Sequence, residues 1–127
     1  MRRYVVSITT ATGGGATGYS GRTSGKLHSI RYVKATAASA FASTADFTIT
    51  DEATGDAILS VSNVNASARY MPRGSVITTS GGALTYSTGT AALRAVQDRL
   101  PIGRSRVKIT IAQGGNTKLG TFHVYVD

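Results

Sequence analysis

Hydrophobic and polar positions alternate with a period of two over several short runs of this chain, the pattern of strands that bury one face. In residues 3–10, RYVVSITT, Tyr4, Val6 and Ile8 share one face while Val5, Ser7 and Thr9 take the other, which predicts a first strand. Residues 27–34 repeat the pattern, with His28, Ile30 and Tyr32 together. Residues 46–61 predict a hairpin. A three-residue loop Ala53-Thr54-Gly55, with Gly55 left-handed, pairs Phe47 with Val61 and Ile49 with Leu59 as core residues, and sets Glu52 opposite Asp56. Residues 104–112 and 118–126 flank Gln113-Gly114-Gly115-Asn116, and a Gly-Gly turn would join them as a second hairpin with Val107 opposite Phe122. Its core face would hold Val107, Ile109, Ile111, Phe122, Val124 and Val126. Its outer face would carry Arg104, Arg106, Lys108, His123 and Tyr125, a basic stripe interleaved with aromatic rings.

The segments between these runs are less regular. Residues 12–25 hold six glycines in fourteen positions, which reads as a flexible loop. Residues 35–45 are small and lack large apolar spacing, so a loop or one helical turn is expected. Pro72-Arg73-Gly74 is a turn signal, followed by short strands at 75–79 and 84–87 around Ser80-Gly81-Gly82. Residues 91–100, AALRAVQDRL, space Ala92, Leu93, Val96 and Leu100 as a helix would, stopped by Pro101. Seven or eight strands at this spacing predict one all-β domain over 1–127. Its expected form is an antiparallel β-sandwich or open barrel, jelly-roll-like, with at most one short helix.

Composition adds that the core is thin. Leu, Ile, Val and Phe number 27 of 127 residues, while Gly, Ala, Ser and Thr make up about half the chain. A thin core favours completion by oligomerisation, so a homo-oligomer is expected. The absence of cysteine excludes disulfides, thiolate zinc sites and cysteine nucleophiles. The apolar stretch after the basic start is too short for a secretion signal and no later run approaches a membrane span, so a soluble, unprocessed chain is expected. The formal charge is +8, yet residues 46–61 hold four of the six carboxylates. That lopsidedness favours docking over pocket chemistry.

Candidate catalytic arrangements are weak. Residues 13–18 satisfy GxGxxG but lack the helix that must begin inside the motif, and no P-loop lysine follows. His28 and His123 sit in strand patterns with no GxSxG turn, and two isolated histidines make a poor zinc site. Asp46, Asp51, Glu52 and Asp56 do not match the ligand spacing of a calcium loop, and strand period puts Asp51 on the face opposite Glu52 and Asp56. Asn65-Ala66-Ser67 has the form of a glycosylation site, but without a secretory signal it reads as coincidence. No catalytic residue, cofactor or metal is expected. The contact candidates are Glu52, Asp56, Arg69, Tyr70, Arg73, Arg104, Arg106, Lys108 and Tyr125, since Tyr and Arg anchor interfaces and both charge signs permit complementary docking. A nucleic-acid-binding domain using Arg104, Arg106, Lys108 and Tyr125 is the alternative from a different class. A carbohydrate-binding or host-recognition sheet face is a third reading.

From Gly25 onward, GKLHSIRYVK, DFTITDEATGDAIL, ASARYMPRG and RVKITIAQGGNTKLGTFHVYVD resemble a group of small structural proteins encoded near the capsid genes of tailed bacteriophages. The likeness covers about four fifths of the chain and rests on turns and strands. It implies a virion component, foremost a capsid decoration or cement protein on the outer shell that clamps neighbouring subunits of the major capsid protein, often as a trimer. A tail or head-fibre location fits the same features. The family brings no catalytic residues, and the Gly-rich segment before Gly25 departs from it.

Overall fold

The computed structural model describes residues 1–87 and 93–127. The fold is all-β and antiparallel, with no helix among the described residues. Its strands are β1 (Arg2–Thr9), β2 (Ala16–Tyr19), β3 (Thr23–Lys34), β4 (Asp46–Asp51), β5 (Ala57–Val61), β6 (Ala68–Tyr70), β7 (Arg73–Ser75), β8 (Thr85–Ser87), β9 (Leu93–Ala95), β10 (Gln97–Arg99), β11 (Pro101–Ser105), β12 (Val107–Ala112) and β13 (Leu119–Val126). The first sheet runs β1-β13-β3-β11, with β6 also on β3, and the second runs β2-β12-β4-β5.

The two sheets meet face to face through the alternating residues that the hydrophobic pattern marks. Val6, Ile8, Ile30, Tyr32, Phe122, Val124 and Val126 of the first sheet pack against Phe47, Ile49, Val107, Ile109 and Ile111 of the second in one buried cluster. Four rings hold its centre. Tyr32 and Phe122 lie edge-on to Phe47 at 4.8 and 5.1 Å and tilted to each other at 5.2 Å, and Phe41, from the loop after β3, stacks on Tyr32 at 6.0 Å. Such aromatic pairs add to simple area burial, which matters where large side chains are few.

Several expectations are corrected. The C-terminal hairpin does not form: β12 pairs with β2 and β4, whereas β13 lies between β1 and β3 in the other sheet. Residues 113–118 arch between the sheets, with Gln113, Gly115 and Thr117 left-handed. Thr10 Oγ1 donates to Gly115 O at 2.6 Å and Gly114 N donates to Gly14 O at 2.8 Å, tying the arch to the β1–β2 connection. All six residues of the expected core face are buried, but facing one another across the core instead of side by side. A sandwich this poor in large side chains buries both apolar faces at once only by opposing them.

Half of the expected loop at 12–25 is strand. Gly18 pairs with Ile109 in the second sheet, and Thr23 already belongs to β3. Glycine serves there because an added Cβ would stand 2.7 Å from Ile8 Cγ1. The helix expected at 91–100 is replaced by β9 and β10, Ala91 and Ala92 lying outside the described residues. β10 pairs with β7, so Arg73 and Gly74 are strand residues instead of a turn. The turn at 80–82 holds, with Gly81 left-handed and Thr78 N bonded to Gly82 O at 2.8 Å. In β3 a bulge makes His28 an extra residue between the pairs Tyr125–Ser29 and Val126–Leu27. Leu27, Ile30 and Tyr32 are therefore the buried set, and His28 stays half-exposed.

The acidic hairpin keeps its pairs Phe47–Val61 and Ile49–Leu59 and its left-handed Gly55. Beyond Ile49 the register shifts and Thr50 faces Ala57, so the like charges of Glu52 and Asp56 are not forced together by the ladder. Leu59 and Val61 end half-buried because β5 is the edge of its sheet.

Candidate docking surfaces

The expected contact residues fall into separate places, and the basic stripe is divided by the arch. Lys108 goes with the second sheet, Arg104 and Tyr125 with the first, and Arg106 lies between β11 and β12. At the hairpin tip the Arg106 guanidinium grips Glu52 through Nε and Nη2 while sitting 4.2 Å over the Tyr19 ring. The Arg106 hydrogen bond, with the nearby charges of Arg106, Arg22 and Lys108, holds the Glu52 carboxyl below its ordinary pKa. Glu52 in turn raises that of Arg106. Asp51, beside it, is buried and accepts a 2.5 Å hydrogen bond from Ser105 Oγ, which fastens the tip to β11. Asp56 is exposed, its backbone N–H capped by Thr54 Oγ1. The tip is thus a structured ion-pair cluster in place of a strained acidic point.

Arg73 is structural. Its Nη1 donates to the carbonyls of His28 and Pro72 at 3.0 and 2.8 Å, clamping β7 to the β3 bulge. Tyr70 is half-buried next to the core, and burial pushes its phenol above the usual pKa. Arg104, left-handed at φ 50°, lines an open cleft of about 290 Å³ with Arg2, Arg22, Thr23 and Ser24.

The broadest charged surface is the outer face of the first sheet. Register places Val5, His123, Arg31 and Arg69 side by side across β1, β13, β3 and β6, and the next row holds Arg3, Tyr125 and Ser29. Inward alternation of Ile30, Tyr32, Phe122 and Val124 is what turns the others outward, while Ser29 is fully buried. Arg31 and Arg69 stand directly opposite each other, an arrangement that costs stability. None of the six carboxylates relieves it: Glu52, Asp98 and Asp127 pair with Arg106, Lys26 and Arg99, and Asp46, Asp51 and Asp56 belong to the acidic hairpin. Arg69 lies 5.5 Å over the Tyr125 ring, and Val5 and Val33 expose apolar surface beside the cations. Arg69 and Tyr125 are among the contact candidates named from the sequence. Arg3 and Arg31 join them only through strand order, although their outward phase in β1 and β3 was readable, whereas alternation in residues 118–126 already places His123 with Tyr125.

A second surface escaped sequence reading altogether. Residues 76–87 and 93–96, between β7 and β10, form a ribbon through the Ile77–Ala83 bridge and the β8–β9 pair. Ile77, Leu84, Tyr86 and Leu93 on it are 61, 43, 53 and 67 % exposed. The helical spacing of Leu93 and Val96 hid this, because a helix would have turned them to the core.

Comparison of the chain with protein-family models, with curated proteins and with solved structures finds no match.

Proposed function

We propose that this chain is a non-enzymatic structural protein of a tailed-phage virion, a decoration protein that docks on the capsid shell through the outer face of its first sheet and self-associates through the ribbon of residues 76–87 and 93–96. The observation that carries the docking is the row of Arg31 and Arg69 beside His123, Arg3 and Tyr125, cationic, flanked by exposed valines and without a carboxylate. Uncompensated like charge on a sheet face is relieved by an acidic partner surface. The resemblance in residues 25–127 supplies the shell as that partner. Binding only the assembled shell would stabilise it by mass action over many copies.

The test is co-sedimentation of the purified protein with purified shells, comparing wild type with Arg31→Glu/Arg69→Glu. Both side chains lie outside the core, so folding should survive, as circular dichroism would confirm. Occupancy should fall at least tenfold, the effect of about 1.4 kcal/mol of lost binding. Unchanged occupancy would overturn the reading.

Nucleic-acid binding by the same face is favoured by its cations, but the Tyr125 ring is covered by Arg69 and is not an open platform for base stacking. Phosphate contact by Arg3, Arg31 and Arg69 alone would give a log–log salt slope of about −3. Binding of that kind, with no shell occupancy, would favour this second reading.

A further inference from the structure

One end of the sandwich gathers cations for which the docking face gives no use. Arg2 opens β1, Arg22 precedes β3, and Arg104 sits in β11, where the register with β3 shifts between Ile102 and Ser105. The three side chains line the same open cleft of about 290 Å³ with Thr23 and Ser24. None is paired with a carboxylate among the described residues.

The cleft is built and held. Arg22 Nη1 donates to the Arg104 carbonyl at 3.0 Å, and the Arg104 N–H donates to Ser24 Oγ at 2.8 Å. Arg104 itself takes φ 50°, a conformation that disfavours a long side chain, and such outliers gather at binding sites. Thr23 also lines the cleft but is only 4 % exposed. Tyr4 approaches from the side, backed by Gly21, where any Cβ would come within 2.9 Å of its ring. Thr23 foremost, with Arg2, draws the Tyr4 phenol below its ordinary pKa.

We infer that this cleft binds a compact tetrahedral oxyanion of double charge, a phosphate or a phosphomonoester, held by the Arg2, Arg22 and Arg104 guanidiniums. Guanidinium forks match the paired oxygens of such an anion. Three cations against a dianion leave the site with the sign that draws it in. Nothing in this depends on docking to a shell.

The experiment is calorimetric titration of the whole protein with inorganic phosphate at constant ionic strength, chloride making up the balance. Arg104→Gly is the diagnostic variant, since glycine accepts the left-handed backbone and the protein should melt no lower than wild type. Phosphate affinity should fall about tenfold to a hundredfold in Arg104→Gly and in Arg22→Gln, the loss of one charge-assisted contact. Equal phosphate binding by wild type and both variants, or none by wild type, would overturn the inference. A 5′-phosphorylated oligonucleotide distinguishes the sources: binding tighter than its unphosphorylated twin upholds the site as a reader of phosphorylated ends, and binding equal to it, with phosphate still bound, upholds a site for the free anion.

Discussion

Gly18→Ala tests the placement of the Gly-rich segment by the sign of its effect. In a flexible loop, adding a methyl restricts the unfolded chain more than the folded one and stabilises by about 0.4–1 kcal/mol. In the structure Gly18 is a strand residue opposite Ile109, and its added Cβ would meet Ile8 Cγ1 at 2.7 Å, Ile8 Cδ1 at 2.9 Å and Val6 Cγ1 at 3.0 Å. Ile8 is 2 % exposed and Val6 5 %, so neither can retreat into solvent. Overpacking of this kind costs about 1–3 kcal/mol. Setting the unfolded-state gain against that leaves a net loss of about 0.5–2 kcal/mol, or about 2–10 °C in melting temperature for a domain of this size. Gly13→Ala is the control, because nothing lies within 4 Å of its added Cβ and its backbone is not left-handed. Urea unfolding followed by circular dichroism and tyrosine fluorescence reads both variants. Gly13→Ala should be neutral or stabilised. A Gly18→Ala protein as stable as Gly13→Ala would refute the insertion of β2 against β1.

Other consequences can be measured on the same preparations. Ser105→Ala removes the donor to Asp51 and an acceptor for Ala53 N, and should cost about 1–3 kcal/mol in urea unfolding; a cost within error of zero would mean that the tip is not fastened to β11. Glu52 has a folded pKa below its unfolded value, so its contribution is present above the unfolded value of about 4.3 and is lost as pH falls through the lower folded one. The melting curves of wild type and Glu52→Gln should therefore converge on acidification; a gap that persists at low pH would contradict the Arg106 pairing. Ile77→Asp/Leu93→Asp should reduce an oligomer to monomer by light scattering without loss of the sandwich, and an unchanged mass would remove the ribbon from the interface.

What was legible in the sequence was phase, and what was not was partnership. Period-two alternation named the buried faces of β1, β12 and β13 residue by residue, because one-sided burial fixes which positions are apolar. It could not say whether Val107 and Phe122 lie beside or across from one another, since a Gly-Gly segment serves a hairpin turn and an arch equally well. Gly55 and the pairs of Phe47 and Ile49 were readable because turn chemistry and alternation agree there. The Thr50–Ala57 pairing was not, as a bulge leaves no residue signature. Gly18 misled because its small size reflects the nearness of Ile8, information held by another strand. The same limit applied to the surfaces: Arg69 and Tyr125 stood out by type, while Arg31 and Arg3 gained meaning only when β6, β3, β13 and β1 were in order.

The most direct test of the docking account is an electron-microscopy map of intact particles that resolves side chains. The account predicts this sandwich on the outer shell, with Arg3, Arg31 and Arg69 against shell carboxylates. Particles without the chain, or with that face turned to solvent, would contradict it.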